Sequence, residues 1–159
     1  MHGSLEIDDM SFQIIRPQIK TLLESISLFQ EVGNAPTLKF NGFPACYVVP
    51  SDNSADYETT SENVRVYAFV VRAFYETKDT GVRTALTAME ELIDKILDTF
   101  DKEDFKTNTT RTIGINLPTG YTFLNIFAHP SAFGELPEEN LIMSEIIVKI
   151  RVSIDVNST

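Results

Sequence analysis

Between Thr80 and Phe100 the apolar residues Val82, Ala85, Leu86, Met89, Leu92, Ile93, Ile96, Leu97 and Phe100 recur at steps of three and four without a break. That spacing predicts an amphipathic core helix, and a helix with one apolar stripe needs an apolar layer to lie on. Asp79 or Thr80 is placed to cap its first turn, and Glu91/Lys95 and Asp98/Lys102 stand four apart in the favourable order. Such pairs contribute roughly 0.3 kcal/mol each. The layer itself is written in strands. Val64–Tyr75 is apolar on both alternating faces, with Val64, Val66, Ala68 and Val70 on one and Tyr67, Phe69, Val71 and Ala73 on the other. A strand of that kind is covered on both sides. The last segment alternates strictly, Ile146, Val148, Ile150, Val152, Ile154 and Val156 inward, Lys149, Arg151, Ser153 and Asp155 outward, and reads as a long closing strand.

The remaining elements are less regular. From Phe12 to Phe29, Ile15, Ile19, Leu22, Leu23, Ile26 and Phe29 follow a helical spacing, with Pro17 acceptable in a first turn and Gly33-Asn34-Ala35-Pro36 as the stop. Leu38–Val49 reads as a bent edge strand broken by Gly42 and Pro44, and Pro50–Asn63 as a long acidic loop. Ile113, Ile115 and Leu117 alternate before Pro118-Thr119-Gly120 turns the chain into Tyr121–Phe127, a hairpin, and His129–Glu139 reads as a loop. Residues 1–11 are polar and aperiodic and are expected to be a disordered or tag-like leader, leaving 12–156 as a single domain. The expected architecture is α+β, a two-layer sandwich: a mainly antiparallel sheet of about five strands on one long core helix plus an N-terminal helix.

Charge and composition narrow the function. Among 159 residues, thirteen Lys and Arg against twenty-three Asp and Glu leave a net charge of −10, the wrong sign for a surface that grips phosphates, so no specific nucleic-acid binding is expected. Cys46 is the sole cysteine, and with only His2 and His129 beside it no zinc site of the usual make-up can be assembled. No apolar run approaches the roughly twenty residues of a membrane helix, and Met1–Asp9 lacks the features of a signal peptide. A soluble protein made in the cytoplasm, without a membrane partner, is expected.

Few residues offer chemistry. A nucleophilic Cys46 would need His129, which precedes a proline, whereas a cysteine inside an apolar strand is ordinarily a small core residue. No glycine pattern fits a phosphate-binding loop, and no cofactor is expected. Asp52, Asp56, Glu58 and Glu62 cluster without a basic neighbour, but in a loop they have no fixed separation for a carboxylate pair or a magnesium ion. They are instead candidates for docking a basic partner, against the plainer reading of a solvated loop.

Two further features concern surfaces. Glu90, Asp94, Asp98 and Asp101 line one helix face at steps of four, four and three, where like charges repel. The stripe is either a solvated helix back relieved by Lys95 and Lys102 or a surface that repels DNA or meets a basic partner. Strands apolar on both faces with only two helices to cover them leave apolar area for another subunit, with Tyr121, Phe123 and Phe127 as candidate interface residues, unless helix one and the N-terminal segment cover it.

The step Gly42-Phe43-Pro44-Ala45, the extended run to Pro50, the polar 51–63 stretch, Asn63-Val64-Arg65-Val66-Tyr67-Ala68-Phe69-Val70-Val71, and a helix starting near Gly81 resemble the tail terminator (tail completion) proteins of long-tailed bacteriophages. The resemblance covers roughly residues 12–100 and lies in the succession of elements, with no catalytic signature. It implies a non-enzymatic virion subunit, assembled in the host cytoplasm, that forms a hexameric ring in the tail–neck region. There it would cap the tail tube and meet the head connector. The partners so implied are further copies of the chain, the tail tube protein and a connector or neck protein. The alternatives are another neck or head–tail joining protein, or, from a different class, a small enzyme or ligand-binding module using carboxylates.

Overall fold

The computed structural model describes residues 3–33, 35–58, 63–79, 81–105, 117 and 120–154. Its elements are α1 (Gly3–Glu24), β1 (Glu31–Gly33), β2 (Ala45–Glu58), β3 (Asn63–Glu76), α2 (Gly81–Phe105), β4 (Tyr121–Leu136), a 3-10 turn (Pro137–Glu139) and β5 (Leu141–Ile154). The strands form one mixed sheet in the order β1-β2-β3-β5-β4, with β1 parallel to β2 and every other pair antiparallel. The fold is α+β, as the pattern of elements predicts.

Both helices lie on one face of the sheet. Tyr67, Phe69, Val71 and Ala73 of β3 stand beside Ile150, Val148, Ile146 and Ser144 of β5, and these rows, with Cys46 and Val48 of β2 and Ile126 of β4, meet the helices in a single buried cluster. From α1 it takes Ile15, Ile19 and Leu23, and from α2 Ala85, Met89, Leu92, Ile96 and Phe100, which follow one another at steps of four and three. Each large aliphatic side chain buried here contributes about 1.5–3 kcal/mol by leaving water. α1 packs over β1 and β2, α2 mainly over β4, so the two helices share the sheet between them. Phe12 sets its ring edge-on to Tyr67 at 4.6 Å and to Phe69 at 5.5 Å, closing one end of the cluster.

Several boundaries differ from the sequence reading, each for a local reason. α1 runs back to Gly3, so the backbone of residues 3–11, expected as a disordered leader, is helical; Pro17 therefore sits inside the helix, on its exposed side, and not in a first turn. The helix stops at Glu24 because its last turn tightens, with the Ser25 hydroxyl donating to the Leu22 carbonyl and the Ile26 N–H to Leu23 O at 3.0 Å. Ile26 and Phe29 keep the helical spacing but pack from the turn that follows. Leu38–Pro44 is not strand; it carries Phe40 and Phe43 onto the other face of the sheet, where they join Tyr47, Phe74 and Leu141 in a second small cluster.

The acidic stretch also differs. Ser51–Glu58, expected as loop, is the outer half of β2: after a register slip between Pro50 and Ala55, the pairs Ala55↔Tyr67 to Glu58↔Val64 continue the ladder on β3. A long apolar strand offers its free edge along its whole length, and polar residues suit an edge strand. Likewise His129–Leu136 continues β4 and is not a loop, because Pro130 stands on an edge strand beside the slip between Pro130 and Ala132, where a missing N–H costs no ladder bond. Asn140, at φ 56°, closes the tight turn into β5. Ile113 and Ile115 of the expected hairpin lie outside the described residues; in the structure β4 pairs with β5.

Candidate assembly surface

Register decides which residues the sheet brings together. Tyr121 and Phe123 of β4 stand opposite Ile154 and Val152 of β5 and pack, half-buried, against the main cluster beneath the helices. The slip between Phe123 and Asn125 then inserts one extra residue, Leu124, and reverses the alternation. Ile126 turns inward and is 1% exposed, while Phe127, opposite Lys149, faces the other side at 40%. The three aromatics grouped by sequence spacing therefore do not form one patch: two belong to the core margin and Phe127 to the opposite face.

That opposite face carries no helix among the described residues. Beyond the small cluster around Tyr47 and Phe74, its rows are Val49, Val70, Ile147 and His129, then Ala68, Lys149 and Phe127, then Val66, Arg151 and Asn125. Ala68 and Val70 are buried on the central strand, whereas Val66 and Ile147 are half-buried. Arg72, one row towards the Tyr47 end, is held by its own neighbours: its guanidinium donates to the Tyr47 hydroxyl at 3.3 Å, lies 5.9 Å from that ring, and approaches Glu145 at 3.8 Å. Lys149 makes no ion pair among the described residues. This face thus carries apolar side chains along β3, Lys149, Arg151 and Glu145 on β5, and Asp56 and Glu58 at the register positions beside Val66 and Val64 on β2.

The remaining candidates are dispersed. Asp56 and Glu58 occupy register positions beside Val66 and Val64, Asp52 lies in the slipped part of β2, and Glu62 lies outside the described residues. Glu90, Asp94, Asp98 and Asp101 are all exposed on the back of α2, and none is in an ion pair among the described residues. The expected pairs Glu91/Lys95 and Asp98/Lys102 do not close either, in keeping with how little an exposed pair gains against the entropy of two long side chains. Val82 and Leu86, counted in the apolar stripe, are 45% and 37% exposed at its margin.

Among the described residues His129 is not placed to activate Cys46. Cys46 is fully buried, and burial, followed by the Glu24 carboxylate, pushes its thiol well above its ordinary value, with Lys20 opposing. His129 stands three strands away on the other face, roughly 14 Å at the usual strand spacing. Among the described residues no group of three or more His, Cys, Asp or Glu is placed to hold a metal ion, and no helix is long and apolar enough to cross a membrane. Arg65, buried on the helix side, donates to the Tyr67 hydroxyl at 2.9 Å and lies 5.7 Å from the centre of that ring. It is a packing element of the core's end.

No protein-family model and no curated protein matches the chain. Among solved structures it is similar to a chain from the virion of a native gene transfer agent particle, with a TM-score of 0.49 and 11% identity, over 89% of this chain and 92% of that one.

Proposed function

We propose that the chain is a structural subunit of a phage-type virion, a tail terminator that assembles into a ring, caps the tail tube and joins it to the head connector. The observation that carries this reading is the face of the sheet on which no described helix lies, both described helices being on the other side. Val66 and Ile147, half-buried, and Phe127, exposed, leave apolar area on that face for a neighbour to cover. Support also comes from the resemblance of the Gly42–Ala45 step and the Asn63–Val71 strand to the tail terminators, and from the helix-strand-strand-helix succession that follows it here. The net charge of −10 suits a ring through which DNA passes without being held.

The test is assembly. Native mass spectrometry or light scattering should find a ring of subunits, either free or once assembled tail tube is added, and the ring should stop tube growth. A protein that stays monomeric both alone and with tube overturns the proposal. Portal, tail tube and tape-measure genes beside its own would be the expected genomic setting.

A further inference from the structure

We infer that Asn41-Gly42 is a site of spontaneous modification, at which the side-chain amide of Asn41 is lost in the folded chain to give aspartate and isoaspartate. The inference is independent of the ring reading above.

The reaction needs an electrophile and a nucleophile on adjoining residues. The main-chain nitrogen of Gly42 attacks the side-chain carbonyl carbon of Asn41, and the new C–N bond closes a succinimide. The amide C–N bond breaks, and ammonia leaves carrying the proton that the glycine nitrogen gave up. Water then opens the ring at one carbonyl or the other, so that the main chain continues as aspartate or, through the side-chain carbonyl, as isoaspartate. Nothing is oxidised or reduced, and water is the one co-reactant. A side chain on the attacking residue would shield its nitrogen, and glycine carries none. Asparagine is for this reason a thermolabile residue, and 41–42 is the chain's one Asn-Gly pair.

The structure leaves both reacting groups open. Residues 41–44 form a bend in which Asn41 is exposed and Gly42 half-buried. Among the described residues neither the Asn41 side chain nor the Gly42 N–H has a hydrogen-bond partner; Asn41 is held by its main-chain N–H, which donates to the Glu31 carboxylate at 2.7 Å. The fold also favours the glycine. A Cβ at position 42 would stand 3.1 Å from Cβ of Gln30, whose own N–H is tied to the Pro44 carbonyl at 2.8 Å. The residue that shields its nitrogen least is thus the one that fits.

The products disturb the loop. Both put a carboxylate on the residue whose N–H the Glu31 carboxylate holds. Isoaspartate also adds a methylene to the main chain between Phe40 and Phe43, which pack with Phe74 in the second cluster. Like charge and a longer chain both work against that packing.

The test ages the full-length folded protein at neutral and at mildly alkaline pH. Peptide mapping follows Asn41, Asn125 and Asn140, and an isoaspartate-specific methyltransferase labels the rearranged product. Acid should accumulate at 41 severalfold faster than at the other two, with isoaspartate present, and faster at the higher pH because the attacking nitrogen reacts without its proton. An Asn41 that keeps its amide, that converts no faster than Asn125 and Asn140, or that yields aspartate alone would overturn the inference. Asn41→Ser should abolish most of the label; undiminished label in that variant would place the reaction elsewhere and overturn it too. The aged protein should melt below the fresh one, with Asn41→Asp, which carries the charge without the methylene, between them. Aged and fresh chains that melt together would overturn the effect on the loop.

Discussion

Ile96→Ala tests which side of α2 meets the sheet. Ile96 is 0% exposed and sits one turn from Leu92, itself 1% exposed, in the middle of the buried row. The substitution removes three carbons, about 2.4 kcal/mol at roughly 0.8 kcal/mol for each. If the roughly 75 Å³ they fill stays open, a cavity term near 24 cal/mol per Å³ adds up to about 1.8 kcal/mol, so the cost should fall between about 2.4 and 4.2 kcal/mol. For a chain of this size a loss of about 3 kcal/mol lowers the melting temperature by roughly 6–12 °C. Urea unfolding followed by circular dichroism in dilute, monomeric protein gives the number directly, provided the slope against urea is unchanged. Leu86→Ser is the control: at the margin of the same stripe, 37% open to solvent, it should cost no more than about 1 kcal/mol. A cost below about 1 kcal/mol for Ile96→Ala, or a larger one for Leu86→Ser, would show that the helix is rotated from the orientation described.

Cys46 should resist thiol reagents until the protein unfolds; and because its folded-state value is raised, the unfolded chain alone gives up that proton once pH passes about 8.5, so stability should fall as pH rises beyond that point, and Cys46→Ala should flatten the fall. Phe123→Ser should lower the melting temperature clearly and Phe127→Ser hardly at all; the reverse order would mean that the slip at Leu124 does not turn the strand over. Replacing Asp52 and Asp56 with Asn and Glu58 and Glu62 with Ser should leave the melting temperature nearly unchanged and weaken binding to the tube or connector ring, most at low salt. A large stability loss would make this stretch structural, and unaltered binding at every salt concentration would end its role in docking.

The parts of the fold that were legible in the chain are those in which one side of an element is buried and the other wet. The alternation of Ile146, Val148, Ile150 and Val152 appears in β5 as written, and Ala85, Met89, Leu92, Ile96 and Phe100 form the buried row of α2. Edge strands were not legible, because an edge needs no apolar alternation to hold its ladder. Ala55–Glu58 and His129–Leu136 are polar or punctuated by proline and still pair with apolar strands that offer free hydrogen-bonding edges. That the three candidate interface residues do not share one face was hidden for a related reason. Tyr121, Phe123 and Phe127 share a parity, but Leu124 is as apolar as its neighbours, so nothing in the composition marks it as the residue that the ladder skips.

Which face of β3 would take the helices, however, was written in side-chain size. The helix-covered row begins Tyr67, Phe69 and Val71, and the open row runs Val66, Ala68 and Val70. Both rows are apolar, and polarity alone makes them equivalent. The space between a sheet and a helix layer has to be filled to native density, which calls for large rings pointing into it. A face on which no helix lies is better lined with small side chains, which leave little apolar area in water.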